Sequence, residues 1–135
     1  MILLDTNVVI ALINRRDAKI RERFEAQMAL RIEVALPAIC LFEMRYGHAK
    51  STRRAQSDQQ LNDLLARGVA VTPFEEEDAN HAGEIRAVLE ARGTPIGACD
   101  ILIAAQARRR GATLVTANTR EFERVPGLLV VDWAA

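Results

Sequence analysis

Short apolar segments alternate along this chain with longer segments whose apolar positions recur every three or four residues. Ile2–Leu4, Glu33–Leu36, Val69–Thr72, Thr113–Thr116 and Leu128–Val131 are too short for helices and read as strands. Val8 to Ile13 opens a helix directly after Asp5-Thr6-Asn7, which puts Asp5 at a strand's carboxyl end. Asp17 can cap a second helix over about Ala18–Leu30, and Pro37 suits the first turn of a third that carries Glu43. Thr52–Ala66 predicts a polar amphipathic helix stopped by Gly68. The acidic run Glu75–Asp78 favours the positive end of the next helix, with Ile85, Val88 and Leu89 on its apolar face and Gly93 as its stop. Ala98–Arg110, ended by Gly111, is a further helix with Asp100 in its first turn, and Asn118–Arg124 is a short turn or helix. Strands alternating with helices predict an α/β fold: a mostly parallel sheet of about five strands with helices on both faces. In such sheets ligands bind beyond the strands' carboxyl ends.

Composition narrows the class. A chain of 135 residues, half of them apolar and about a quarter charged, suits one folded domain over residues 1–135 and not a disordered segment. No apolar stretch approaches the roughly 20 residues of a membrane-spanning helix, and the MILLDTN start lacks a secretory pattern, so a cytoplasmic location is expected. Cys40 and Cys99 are isolated within apolar runs and read as small core residues. The net charge of zero argues against a broad electrostatic attraction to nucleic acid. Sixteen of the eighteen basic residues are Arg, whose planar fork suits phosphate and carboxylate, although high-GC codon usage gives the same bias.

Four acids fall where this architecture would gather them: Asp5 after the first strand, Glu43 on the helix after the second, Asp100, and Glu121 after the fourth strand. Glu43 interrupts the run from Ala38 to Met44, and Asp100 sits between Cys99 and the run Ile101–Ala105. A buried carboxylate costs several kcal/mol unless paired, hydrogen-bonded or metal-bound. Each has a plain structural explanation taken singly: Asp5 as a helix cap, Glu43 paired with Arg45 or a distant Arg, Asp100 favouring its own helix N-terminus. Together they would repel one another unless a cation neutralised them. Oxygen-only donors select a hard ion, Mg²⁺ or Mn²⁺; His48 and His81 stand singly, as surface or capping residues, and offer no zinc cluster. A carboxylate-held Mg²⁺ activates water and offsets phosphoryl charge, which points to phosphodiester hydrolysis.

The segments LLDTNV around Asp5, LFEMRYG around Glu43, GTPIGACDILIAAQA around Asp100, TANTREFERVPGL around Glu121 and the closing VDW are similar, in order and spacing, to the PIN-domain ribonucleases of the VapC toxin type, over nearly the whole chain. The resemblance implies a three-layer α/β/α fold around a parallel sheet, with Asp5, Glu43 and Asp100 in the positions of the family's three Mg²⁺-site acids. Many PIN domains place Asp where this chain has Asn118, so the fourth position falls to Asn118 or Glu121. Thr6 and Asn7 would shape the loop or support the metal ligands. The resemblance further implies RNA cleavage, with the initiator tRNA anticodon loop as a candidate target. It also implies a VapB-type antitoxin laid across the groove, a homodimer, and operator DNA contacted only through the antitoxin. Arg15, Arg16, Arg108, Arg109, Arg110 and Arg120 are candidate phosphate contacts, the Arg108–Arg110 run being equally a set of helix-end partners for the dipole.

Other classes fit less well. A haloacid-dehalogenase-type phosphatase needs an Asp where Asn7 stands, a receiver domain needs a Lys at a late strand end, and no phosphate-binding glycine loop occurs. The remaining alternative is a PIN-like module that binds RNA or a partner without cutting it.

Overall fold

The computed structural model describes residues 1–135 as a five-stranded sheet and seven helices. In chain order these are β1 (Ile2–Leu4), α1 (Thr6–Asn14), α2 (Ala18–Ala29), β2 (Val34–Pro37), α3 (Ala38–Ala49), α4 (Arg54–Ala66), β3 (Ala70–Thr72), α5 (Glu76–Ala91), α6 (Ala98–Arg109), β4 (Thr113–Val115), α7 (Thr119–Phe122) and β5 (Leu129–Val131). Every expected element is present, with ends displaced by a residue or two. Pro37, expected inside the first turn of α3, instead ends β2 and stands at the N-cap of that helix, where its missing N–H costs nothing.

The strand order is β3-β2-β1-β4-β5 and every pairing is parallel, so the sheet is wholly rather than mostly parallel. Chain direction explains the order. Two crossovers carry the chain outward from β1 through β2 to β3, and α5 and α6 then bring it back to β4 on the other side of β1. Right-handed crossovers running in opposite directions put their helices on opposite faces. The gap between the carboxyl ends of β1 and β4 is therefore the switch point where such folds form clefts.

The central strands carry the core. Leu3, Leu4, Val34, Ala35, Leu36, Leu114 and Val115 are buried, and the helices cover them with Val9, Phe24, Cys40, Leu61, Ile85, Leu89, Ile103 and Phe122. Edge strands β3 and β5 are largely exposed. Gly93 and Gly111 have φ of 69° and 61° just beyond α5 and α6, the left-handed turn that ends a helix most cheaply with glycine. No helix is long and apolar enough to cross a membrane.

Candidate active site

Asp5 leaves β1 at the switch point. Its backbone N–H donates to Val115 O at 2.9 Å, which ties the end of β1 to the end of β4. Asp5 caps α1, as a lone capping residue would: its Oδ1 accepts the Thr6 N–H at 2.8 Å. The carboxylate does more than cap. Its Oδ2 accepts the Thr116 hydroxyl at 2.7 Å, the Cys40 thiol lies 3.9 Å from Oδ1, and the side chain is buried.

Glu43 reaches the same place from α3. Its Oε1 accepts the Thr6 hydroxyl at 2.8 Å, and one donor atom each from Asp5, Cys40 and Glu43 lie within 4.8 Å of one another. Arg45, the nearby partner that sequence offered to Glu43, is committed elsewhere: it donates to Asp58 and Asn62, both at 2.8 Å. No cation of this chain neutralises Glu43 by ion pairing.

Asp100 sits in the first turn of α6, half-buried, where the helix dipole alone would favour its charge. Burial together with the charges of Asp5, Glu43 and Glu121 outweighs the dipole and pushes its carboxyl up to about 6. Asp100 and Glu121 thus face Asp5 and Glu43 closely enough to feel their charge, while the tightest group of donor atoms is that of Asp5, Cys40 and Glu43. Glu121 comes from α7, and its Oε2 accepts the Asn118 amide at 2.9 Å, so Asn118 and Glu121 share one corner of the site.

Two expectations about cysteine and histidine change. Cys40 is buried as expected but lies against Asp5, and burial pushes its thiol well above the usual range. Cys99 is not a core residue: it is half-buried beside the acids, its thiol raised by burial and by the charges of Glu43 and Asp100. His48 and His81 are half-buried and partnered, His48 with Asp58 at 2.8 Å and His81 accepting from Arg108 at 3.0 Å. Neither joins the acidic cluster.

The Arg108–Arg110 run is spent inside the molecule. Arg110 donates to Asp78 at 2.7 Å and to Pro73 O, Arg109 to Asp78 at 3.1 Å, and Arg108 to His81, Pro126 O and Glu84. Asp78 opens α5 as expected, its Oδ2 accepting the Glu75 N–H at 2.8 Å, and it is also fully buried. The triple-Arg segment is therefore a structural clamp on α5, and the phosphate-contact reading of it is set aside. Arg15, Arg16 and Arg120 remain exposed.

The largest cavity, about 770 Å³, lies between α1, α2 and α4 and is lined by Leu12, Ile13, Arg15, Phe24 and Arg67 among others; it contains none of the four acids. Size is a weaker guide than chemistry here, because four carboxylates gathered at a switch point have no structural purpose of their own.

Known proteins are similar to this chain in sequence and fold. The PIN domain family profile matches residues 2–128. The tRNA(fMet)-specific endonuclease VapC of Shigella flexneri is 38% identical over 132 residues, 98% of this chain and 97% of that protein. The crystal structure of VapBC2 from Rickettsia felis bound to a DNA fragment from their promoter contains a chain with a TM-score of 0.91 and 35% identity, covering 98% of this chain and 99% of that one. A chain of VapBC-1 from nontypeable Haemophilus influenzae superposes with a TM-score of 0.89 at 33% identity over the full length of both. The chain thus belongs to the PIN-domain family and, within it, to the VapC ribonuclease type.

Proposed function

We propose that residues 1–135 form one PIN domain acting as a Mg²⁺-dependent endoribonuclease, the toxin of a type II toxin-antitoxin pair. The observation that carries this reading is the convergence of Asp5, Glu43, Asp100 and Glu121 at the switch point, with no basic side chain of the chain paired to any of them.

The donor chemistry fits a hard divalent cation. Asp5 and Glu43 have donor atoms within 4.8 Å of each other, and carboxylate oxygens are the donors that hard divalent ions prefer over the neighbouring Cys40 sulfur. Asp5, Glu43 and Asp100 would hold Mg²⁺, for which Mn²⁺ can substitute, and Glu121 with Asn118 completes the site. When bound, the ion lowers the pKa of a water and offsets charge on the scissile phosphate. The chain supplies the rest. Thr6 fixes both Asp5 and Glu43 through its N–H and hydroxyl, so one residue sets the spacing of two ligands. Arg120, exposed and next to Glu121 in sequence, is the candidate contact for a substrate phosphate in this reading.

The substrate in this reading is RNA, with tRNA, and the initiator tRNA anticodon loop in particular, as the first candidate because relatives such as the Shigella protein are named for it. The solved VapBC relatives support a VapB-type antitoxin partner. In this reading the antitoxin covers the acids and carries the operator-DNA contact, and the toxin is a homodimer acting in the cytoplasm.

Incubating the protein with total tRNA, with Mg²⁺ or with EDTA, beside Asp100→Asn, tests the reading when cut ends are mapped by sequencing. Discrete cuts that need both Mg²⁺ and Asp100 are expected. If folded, Mg²⁺-loaded protein leaves tRNA and every other RNA class intact, the nuclease reading falls and a module that binds RNA or a partner without cutting takes its place.

A further inference from the structure

Thr116 is fully buried one residue beyond β4, and its hydroxyl stands between two parts of the acidic site. It receives the backbone N–H of Asn118 at 3.0 Å and lies 2.7 Å from Asp5 Oδ2. The direction of the second bond follows from the first. An amide N–H can only donate, so the hydroxyl accepts from Asn118 and its single proton is free for Asp5. Both Asp5 oxygens are then acceptors, Oδ1 from the Thr6 N–H and Oδ2 from Thr116, which pins the carboxylate's rotamer. The same hydroxyl anchors the backbone of Asn118, whose side chain holds Glu121.

We infer that Thr116 is a positioning residue that couples Asp5 to the Asn118–Glu121 corner, so that the first and fourth acids of the site are set by one buried hydroxyl. The inference rests on the metal-nuclease reading above and adds to it a residue outside the acid set. The carboxylates cannot fill this role among themselves, because Asp5 and Glu121 repel. Neither can the backbone alone: the Asp5 N–H bond to Val115 O fixes the strand ends and the Thr6 N–H holds Oδ1, but it is the Thr116 hydroxyl that holds Oδ2 and links it to the Asn118 corner. Side chains that orient metal-bound groups without touching the ion typically change affinity 10- to 100-fold when removed.

Thr116→Val keeps the shape and deletes the hydroxyl; Thr116→Ser keeps the hydroxyl. Mn²⁺ affinity, read by the loss of free-ion paramagnetic resonance, is expected to fall about 10- to 100-fold in Thr116→Val and to stay near the unsubstituted value in Thr116→Ser. The Mg²⁺ concentration for half-maximal RNA cleavage should rise by the same factor, with a smaller loss at saturating Mg²⁺. Where Thr116→Val melts below the assay temperature, Thr116→Ala, which leaves room for a water beside Asp5, takes its place. Unchanged Mn²⁺ affinity in a folded hydroxyl-free variant, while the unsubstituted protein binds and cuts, overturns the inference and leaves the nuclease reading standing. Failure of the unsubstituted protein itself to bind Mn²⁺ overturns both.

Discussion

Asn118 donates its side-chain amide to Glu121 Oε2 at 2.9 Å, and the two residues occupy one corner of the acidic cluster as a unit. Sequence left the fourth site position open between them; in the proposed nuclease Glu121 supplies the charge and Asn118 orients it through this hydrogen bond. Removing either should therefore not add to removing both. Glu121→Ala is expected to lower cleavage at limiting Mg²⁺ by about 10- to 100-fold, and Asn118→Ala by less. The double variant should match Glu121→Ala alone. Cleavage rates across a Mg²⁺ titration check this, and multiplicative losses would show that the two act independently.

Asp100 gives the metal-free protein a pH dependence of definite sign. Its carboxyl is raised to about 6 from an ordinary value of 3.8, by burial first and then by Asp5, Glu43 and Glu121. A raised acid binds its proton more tightly in the folded state, so its contribution is fully favourable below the ordinary value and is lost as pH rises through about 6. Asp100→Asn should thus stabilise the EDTA-treated protein at pH 7.5 and change little at pH 4.5. Solvent reaches this half-buried group, which reduces the expected gain to about 1–2 kcal/mol, or a few degrees of melting temperature. Mg²⁺ should shrink the difference by stabilising the unsubstituted protein. A melting profile in which Asp100→Asn is the weaker protein at pH 7.5 without metal would contradict the account.

Periodicity made the fold legible, because short apolar runs between amphipathic segments leave few alternatives to a parallel α/β sheet. Asp5, Glu43 and Asp100 were legible for a related reason: each breaks or ends an apolar run, and a carboxylate there needs an explanation. What sequence could not give was partnership across the fold. Asp78 lies in an acidic run typical of an exposed helix start, and only the return of α6 beside α5 shows that Arg109 and Arg110 close over it. Cys99 looks apolar by its neighbours yet falls on the side of α6 that faces the acids. Thr116 carried a signal only in hindsight, as a hydroxyl at the carboxyl end of a strand beside the strand of Asp5.

The division of the arginines is itself testable. Burial pushes Asp78 up, but Arg110, the Glu75 N–H and Arg109 more than offset it and hold the carboxyl below the usual range. A depressed acid contributes stability that is present above its ordinary value and is lost as pH falls through the lowered one. Asp78→Ala leaves Arg109 and Arg110 without their shared carboxylate, but both keep Glu75 and some access to solvent, so a loss of about 2 kcal/mol by urea unfolding is expected. Its effect on RNA cleavage by the protein that remains folded should be small, because the clamp joins α5 and α6 at the end of α6 opposite Asp100. Arg120→Ala should do the reverse: stability unchanged, since the side chain is exposed, and a raised KM for RNA with kcat largely kept, as expected for a group that binds substrate and transition state alike. A lowered RNA affinity in folded Asp78→Ala, with none in Arg120→Ala, would return the triple-Arg segment to the substrate surface.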